Sequence, residues 1–268
     1  MTRFLLSVFL LSVFSLTLAA QDPAASMSEE DKLAAQLANP VAALISVPIQ
    51  FNYDTGYAGG GWRSVTNVQP VVPISIAEDW NVIARAIVPV IFQEDITGPS
   101  TSQSGIGDVL ATAFFSPKAP TESGLIWGVG PAVSLPTGGT GLTADRWLLG
   151  PSAVFLKQSG VWTLGALINQ VWDVAGSGNA DISAAFVQPF VSWGGLGGGQ
   201  TVSFLTEITY DWKNSQATVP LIATYTRVSK IGDQLVSYGI GGRVYVDRPN
   251  GGPDWGLRLI FTFLFPTG

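Results

Sequence analysis

The stretch that decides the fold is the last strand-like segment, Asp254-Trp255-Gly256-Leu257-Arg258-Leu259-Ile260-Phe261-Thr262-Phe263-Leu264-Phe265. Successive side chains of a β-strand point to opposite sides, so every second residue from Leu257 to Phe265 shares one face. All of these residues are leucine or phenylalanine, whereas Arg258 and Thr262 lie on the other face. A wholly apolar, aromatic face near the C-terminus is typical of a strand that faces lipid in a bacterial outer-membrane β-barrel.

The same alternation recurs through most of the chain. Around Phe204 and Ile208, for example, apolar residues alternate with polar ones such as Ser203, Glu207 and Thr209. Most of the predicted strands are about 10–13 residues long, enough to cross a bilayer when tilted. They lie at 41–53, 65–77, 80–93, 107–118, 125–136, 146–156, 161–175, 182–193, 200–212, 216–228, 234–246 and 254–266. We therefore predict an all-β fold, a transmembrane antiparallel up-and-down β-barrel of about twelve strands over residues 41–268.

Composition supports a surface covered by lipid. Charged residues make up 12% of the chain, about half of the roughly 25% that is usual in soluble domains. All nine tryptophans lie close to a predicted strand end, where indole rings would sit at the two membrane interfaces. Ordinary core tryptophans are the alternative, but a core would place them at strand centres.

The lengths of the connections predict the orientation. Long connections (54–64, 94–106, 137–145 and 247–253) tend to alternate with short ones (around 78–79, 157–160 and 229–233). Long extracellular loops and short periplasmic turns give this alternation when both termini are periplasmic. The short connection at 213–215 departs from the rule.

Prolines inside the predicted strands conflict with a continuous ladder, because proline has no backbone N–H to donate. We expect β-bulges or locally broken ladders at these positions. They are Pro48, Pro70, Pro73, Pro89, Pro131, Pro151, Pro189 and Pro220.

The N-terminal region differs from the rest. Residues 1–20 contain Arg3, an apolar run from Phe4 to Leu18 and a pair of alanines, which predicts a secretory signal peptide. Residues 21–40 predict a short helical segment in the periplasm, with Ser28 as N-cap and Asn39-Pro40 as its end. We favour a helix at the periplasmic mouth of the barrel, and the alternative is a plug inside the lumen.

The absence of cysteine and histidine predicts that the chain is not an enzyme. The chain has no cysteine and no histidine, so it lacks the commonest general base and thiolate ligands. We predict no catalytic residues, no metal site and no cofactor. Without Arg3 the formal charge falls from −6 to −7, which argues against a nucleic-acid partner.

The candidate functional residues are ionisable groups predicted to face the lumen, because charges at membrane depth must face water or each other. They could line a permeation path and set its selectivity, or form ion pairs that stiffen the wall. They are Arg85, Asp108, Asp173, Glu207, Asp211, Arg243 and Arg258.

Several segments together resemble a known family. They are Asn39 to Tyr53, Asn67 to Gln93, Leu125 to Thr137, Trp147 to Phe155, Gly165 to Gly176 and Gly251 to Pro266. They resemble a family of bacterial outer-membrane proteins often labelled "transporter" or, by misnaming, "neuromedin U", and related to barrels assigned to MetA-pathway phenol degradation. The resemblance covers nearly all of residues 39–266 and implies a porin-like barrel. It carries over no substrate and no catalytic residues.

Together these features predict a porin-like channel in the outer membrane of a Gram-negative bacterium, for passive diffusion of small molecules, apolar or aromatic ones among them. The expected partners are outer-membrane lipid, small-molecule solutes and, through the C-terminal strand, the barrel-assembly machinery. One alternative is a non-conducting scaffold or adhesion barrel. The other is a secreted, soluble β-rich binding protein.

Overall fold

The computed structural model describes residues 27–266, so the predicted signal peptide and residues 21–26 lie outside the described residues. It contains one α-helix, one short 3-10 turn at Ala58–Gly60 and fifteen strand segments. They are α1 (Glu29–Leu37), β1 (Leu44–Thr55), β2 (Trp62–Val68), β3 (Val71–Ser75), β4 (Trp80–Glu94), β5 (Ser102–Ile106), β6 (Val109–Pro117), β7 (Leu125–Leu135), β8 (Arg146–Ser159), β9 (Trp162–Gly176), β10 (Ser183–Trp193), β11 (Gln200–Thr206), β12 (Ile208–Asp211), β13 (Gln216–Ile231), β14 (Gln234–Asp247) and β15 (Trp255–Pro266).

The strands form one antiparallel sheet that closes on itself. The first and last strands pair along their whole length, from Leu44 opposite Pro266 to Thr55 opposite Trp255. Closure satisfies the backbone groups of both edge strands, which lipid could not do. Three crossings are interrupted and count as two segments each (β2 with β3, β5 with β6, β11 with β12), so the fifteen segments make twelve membrane spans. The predicted twelve-stranded barrel is confirmed.

The interruptions fall at prolines, as expected from the missing N–H. In the ninth span, β11 and β12 are separated at Glu207, and the neighbouring strand places Pro189 opposite Thr206. Between β2 and β3, the amide of Gln69 donates instead to the carbonyl of Pro48 at 2.8 Å. A ladder that lacks a donor on one side opens locally, which frees the side chain of Glu207 to lean into the lumen.

Two further prolines act in the same way. Between β5 and β6, the amide of Gly107 donates to the carbonyl of Pro89 at 2.9 Å. The register of β13 against β14 shifts between Val219 and Pro220. By contrast, Pro73 keeps its place in the ladder opposite Ile83, so the expectation of a break was wrong there.

The outer face of the barrel is apolar over the described strands. Large hydrophobic side chains such as Phe204, Ile240 and Leu259 are at least half exposed on it. Tryptophans lie at both ends of the spans, with Trp80 against Trp127 at one end and Tyr210 against Trp212 at the other. An apolar belt between two aromatic girdles is the surface that a bilayer stabilises, which confirms the predicted outer-membrane location.

The two ends of the barrel differ. We call the end that carries Leu44 and Pro266 the N-terminal end, and the opposite one the loop end. The N-terminal end holds the tight turns 160–161 and 232–233, whereas the loop end holds the longest connection, 136–145. The alternation predicted from the sequence holds only as a tendency, because 118–124 and 194–199 at the N-terminal end are at least as long as 56–61 at the loop end, and 212–215 at the loop end is short.

The helix begins where the sequence places its N-cap. The hydroxyl of Ser28 accepts a hydrogen bond from the amide of Asp31 at 3.1 Å, which satisfies a free helix-end donor. After Leu37 the chain turns, and the amide of Val41 donates to the side-chain carbonyl of Asn39 at 3.0 Å. None of the helices among residues 27–266 has the length and apolar character needed to cross a membrane.

Candidate functional site: an occluded lumen with a polar layer

The helix lies in the mouth at the N-terminal end. Its apolar residues Leu33 and Ala34 are buried against Leu44, Val228 and Leu264, which are inner-face residues of three different strands. Burying this face against the wall supplies the main force that holds so short a helix. The helix layer, as we call this contact, closes the part of the mouth next to β13, β15 and β1.

Two hydrogen bonds also tie the helix to the rim of the mouth, at Gly199 beside Val228 of β13 and at Gln158 near the end of β8. The carboxylate of Asp31 accepts from the amide of Gly199 at 2.8 Å. The side-chain amide of Gln158 donates to the carbonyl of Ala35 at 2.9 Å. The helix therefore bridges strands β1, β13 and β15 to the end of β8.

Beside the helix layer, side chains from β4, β6, β8 and β9 pack together in the lumen and form what we call the apolar layer. Val41, from the segment that follows the helix, is 6% exposed and packs among inner-face side chains. The other members of the layer are Ile83, Phe114, Val154, Leu156 and Leu167. Val41 was predicted to begin the first strand, which instead begins at Leu44. It was misassigned because an apolar residue beside an apolar strand fits the strand pattern equally well.

The preferred interpretation, a helix at the mouth, agrees with the helix layer. The alternative was that the segment 21–40 plugs the lumen. The residue that packs inside the lumen is instead Val41, which was assigned to the first strand.

A polar layer crosses the lumen above the apolar layer. Arg258 donates to the carboxylate of Glu207 through both terminal nitrogens, at 2.9 and 2.8 Å. Its Nε also donates to the side-chain carbonyl of Asn52 at 2.7 Å. The side chain of Arg258 is 3% exposed and that of Glu207 is 22% exposed, so the pair is well shielded from water.

The second luminal arginine in this network is Arg243. Its Nε lies 3.1 Å from a carboxylate oxygen of Asp54, and its Nη1 donates to the same Asn52 carbonyl at 3.1 Å. It also donates to the hydroxyl of Tyr245. Asn52 therefore links Arg258 to Arg243, and the two ion pairs form one continuous polar layer.

Two more arginines extend the positive charge of the layer. Arg85 donates to the side-chain carbonyl of Gln69 at 2.6 Å. Arg63 lies directly opposite Asp54 in the ladder, on the same inner face. The layer thus holds four guanidinium groups and two carboxylates, those of Asp54 and Glu207. Its net charge is positive.

The predicted residues divide into two groups. Arg85, Glu207, Arg243 and Arg258 come together in the polar layer. The other three, Asp108, Asp173 and Asp211, lie nearer the loop end and bind backbone amides.

Each of these three aspartates has a structural role at the loop end. Asp108 accepts from the amides of Gly138 and Ala144 at 3.0 and 3.1 Å, which fixes the long connection 136–145. Asp173 pairs with Arg146 and accepts from the amide of Ile182 at 2.9 Å.

Asp211 accepts from the amides of Lys213 and Asn214 at 2.9 and 3.1 Å and so closes the short turn 212–215. Beside it, the ammonium of Lys213 lies 2.8 Å from Asp181, and this hydrogen bond raises the pKa of Lys213 above its usual value. These residues border an open cavity of about 710 Å³ that also contains Thr209 and Thr218.

Several members of the polar layer are not among the residues predicted from the sequence. Asn52 is uncharged, Gln69 falls at the proline break, and Asp54 stood in a predicted loop although β1 extends to Thr55. A signal for Asp54 was available, since it continues the inward period set by Gln50 and Asn52.

These features define a closed, twelve-span transmembrane β-barrel with a lipid-facing outer surface and an occluded, positively charged lumen. Among solved structures, the COG4313 outer membrane channel from Pseudomonas putida F1 has a TM-score of 0.64 at 14% identity, covering 83% of this chain and 96% of that one. Outer membrane phospholipase A from Escherichia coli gives 0.48 at 10% identity, covering 89% and 99%. OccK7 of Pseudomonas aeruginosa gives 0.29 at 9%, covering 84% and 99%.

No family model and no curated protein matches the chain. At these identities the likeness shows the fold alone. The resemblance noted from the sequence is thus supported as far as a bacterial outer-membrane barrel, and its narrower family label stays a prediction.

The comparisons correct one prediction. From the absence of histidine and cysteine we predicted that the chain is not an enzyme. The matched structures include outer membrane phospholipase A, an enzyme, so that prediction was wrong to exclude the class. Composition alone does not establish the enzymatic status of this barrel.

Proposed function

We propose that this protein is an outer-membrane channel that admits small molecules by passive diffusion. The observation that carries the proposal is that the N-terminal end is narrowed by residues 27–43, which belong to no strand. A segment outside the sheet can move without breaking a ladder hydrogen bond. Such a closure can open, whereas a lumen filled by wall residues alone cannot.

The size of the barrel is compatible with this role. Eight-stranded barrels are filled by their own side chains, and sixteen-stranded ones hold an aqueous channel. Twelve spans lie between these limits, so one helix and one polar layer suffice to narrow the lumen. With the helix and Val41 displaced, the polar layer becomes the narrowest filter.

The charge of that layer predicts a preference for anions. Four guanidinium groups against two carboxylates leave an excess of positive charge where the lumen is narrow. Ions passing there lie well within the Debye length of about 8 Å at physiological ionic strength. We assign the N-terminal end to the periplasm and the loop end to the exterior, as the connection lengths indicate.

The rival to this proposal is a non-conducting scaffold, for which the closed mouth would be permanent. Solute flux into proteoliposomes separates the two. The mature chain and a variant lacking residues 21–42 would be reconstituted at equal folded amounts and swollen with small neutral sugars. A channel gives faster swelling with the mature chain than with empty liposomes, and faster swelling still with the deletion variant, whereas a scaffold gives no swelling with the mature chain.

A further inference from the structure

Arg85 differs from Arg243 and Arg258, the two arginines of the polar layer that form ion pairs. Arg258 and Arg243 each have a carboxylate oxygen within 3.1 Å. Arg85 makes no such ion pair within the described residues, and its hydrogen bond goes to the neutral side-chain amide of Gln69. A guanidinium group has five donors, and the hydrogen bond to Gln69 uses one of them. The carboxylate of Glu207 attracts Arg85 through space, but its hydrogen bonds go to Arg258.

An apolar surface lies directly beside this cation. Ile83 lies two positions earlier on the same inner face of β4 and is fully buried in the apolar layer. Val71, which is opposite Arg85 in the ladder, packs against the same layer. Across the layer lie two aromatic side chains, Phe186 and Phe190. One end of this site thus offers hydrogen-bond donors with a positive charge, and the other offers only hydrocarbon.

We propose that Arg85, supported by Gln69, binds the carboxylate of an amphiphilic monocarboxylate, whose apolar body occupies the place of Val41 in the apolar layer. The planar guanidinium matches a carboxylate with two parallel hydrogen bonds. The apolar body gains free energy by burial among Ile83, Phe114 and the two phenylalanines. This inference rests on the proposed channel only for the route by which the ligand arrives.

The same geometry selects against other ligands. A neutral molecule of the same shape would leave the charge of Arg85 unused. A small hydrophilic anion such as acetate would bury little apolar surface, because it would not contact the two phenylalanines. The ligand class therefore needs both parts, a carboxylate and an aromatic or aliphatic body.

The test is equilibrium binding of benzoate to the full mature chain in lipid nanodiscs, followed by saturation-transfer NMR, with empty nanodiscs subtracted. Benzyl alcohol supplies the same ring without the charge, and acetate supplies the charge without the ring. Arg85→Gln removes the cation. Arg85→Lys keeps the positive charge but cannot donate two parallel hydrogen bonds from a planar group. Arg248→Gln is the matched control, because Arg248 pairs with Asp254 at the loop end, away from the apolar layer.

We expect benzoate to bind the unmodified chain at least about tenfold more tightly than benzyl alcohol or acetate, as a charge-assisted hydrogen bond added to apolar burial requires. Arg85→Gln should lose that advantage, Arg85→Lys should keep part of it, and Arg248→Gln should keep all of it. Equal binding of benzoate and benzyl alcohol to the unmodified chain would overturn the inference, and this arm needs no variant to fold. Unchanged benzoate affinity in folded Arg85→Gln would also overturn it. Benzoate binding without solute flux would support this inference and contradict the proposed channel. Solute flux without benzoate binding would support the channel and contradict this inference.

Discussion

Arg258 reaches Glu207 across the lumen with two parallel hydrogen bonds of 2.9 and 2.8 Å, although the two residues lie on spans three apart. This contact is available because the ninth span is broken at Glu207, one residue after Thr206, which lies opposite Pro189 of the neighbouring strand. A local defect in the wall thus supplies the anion that holds the polar layer together.

The first prediction concerns this pair. Glu207→Gln should destabilise the folded barrel by about 3–5 kcal/mol, because it leaves the shielded guanidinium of Arg258 without its counter-ion. The double variant Glu207→Gln/Arg258→Gln should recover a large part of the loss, since no uncompensated charge is left. Urea unfolding in lipid bilayers measures both values. Additive losses in the double variant would show that the two residues do not act as a pair.

The lipid-facing surface gives a second prediction. Phe204 lies near the middle of the ninth span and its side chain is 58% exposed on the outer face. Phe204→Arg should cost about 2–4 kcal/mol of folding free energy, the depth-dependent cost of a cation in hydrocarbon.

The matched control in the same span is Thr209→Arg, because Thr209 borders the open cavity at the loop end. It should be tolerated with a much smaller loss. Folded fractions after refolding into liposomes, read from the different gel mobilities of unheated and boiled samples, compare the two. Equal losses would contradict the assignment of faces in this span.

Barrel closure supports a third prediction. The whole of β1 pairs with β15, so removing residues 257–268 would leave two unpaired edges in lipid at several kcal/mol for each unsatisfied backbone group. We expect no folded protein in the outer membrane, rather than a reduced amount. Immunodetection in membrane fractions after an alkaline wash is the measurement. A normal level of the truncated chain would refute closure by β15.

The sequence predicted the strands well because the relevant signal is local. A period of two assigns each residue of a strand such as β15 to one face, and the lipid outside makes that face uniformly apolar. Broken ladders at Pro48, Pro89 and Pro189 were also predictable from the sequence, because the missing N–H is a property of the proline itself.

The site was predicted less completely, because its contacts depend on distances across the lumen. Asp211 continues the inward period of Glu207 in the ninth span, and Asp173 was predicted to face inward on β9. Both bind nearby backbone amides instead of joining the polar layer. Period alone does not separate a residue near a turn from one at mid-depth. The role of Val41 could not be derived either, because its burial depends on how the chain bends after the helix.

A fourth prediction concerns ion selectivity. In the variant lacking residues 21–42, the excess of arginine in the polar layer should make the pore prefer anions. Replacing Arg243 by Glu changes the local charge by two units and should shift the reversal potential in a salt gradient toward the cation value. Arg248→Glu at the loop end is the control and should shift it far less. If the Arg243→Glu and Arg248→Glu variants have the same reversal potential, Arg243 is a structural partner of Asp54 and not part of the selectivity filter.

The central claim is that residues outside the sheet close the lumen, in two layers that can be removed separately. Single-channel conductance in planar bilayers tests it most directly, with the mature chain, a variant lacking residues 21–38 and a variant lacking residues 21–42. The first deletion removes the helix layer but leaves Val41, and the second also removes Val41 from the apolar layer. The account predicts conductance that rises at each of the two steps. Equal conductance in all three proteins, at equal folded fractions, would contradict it.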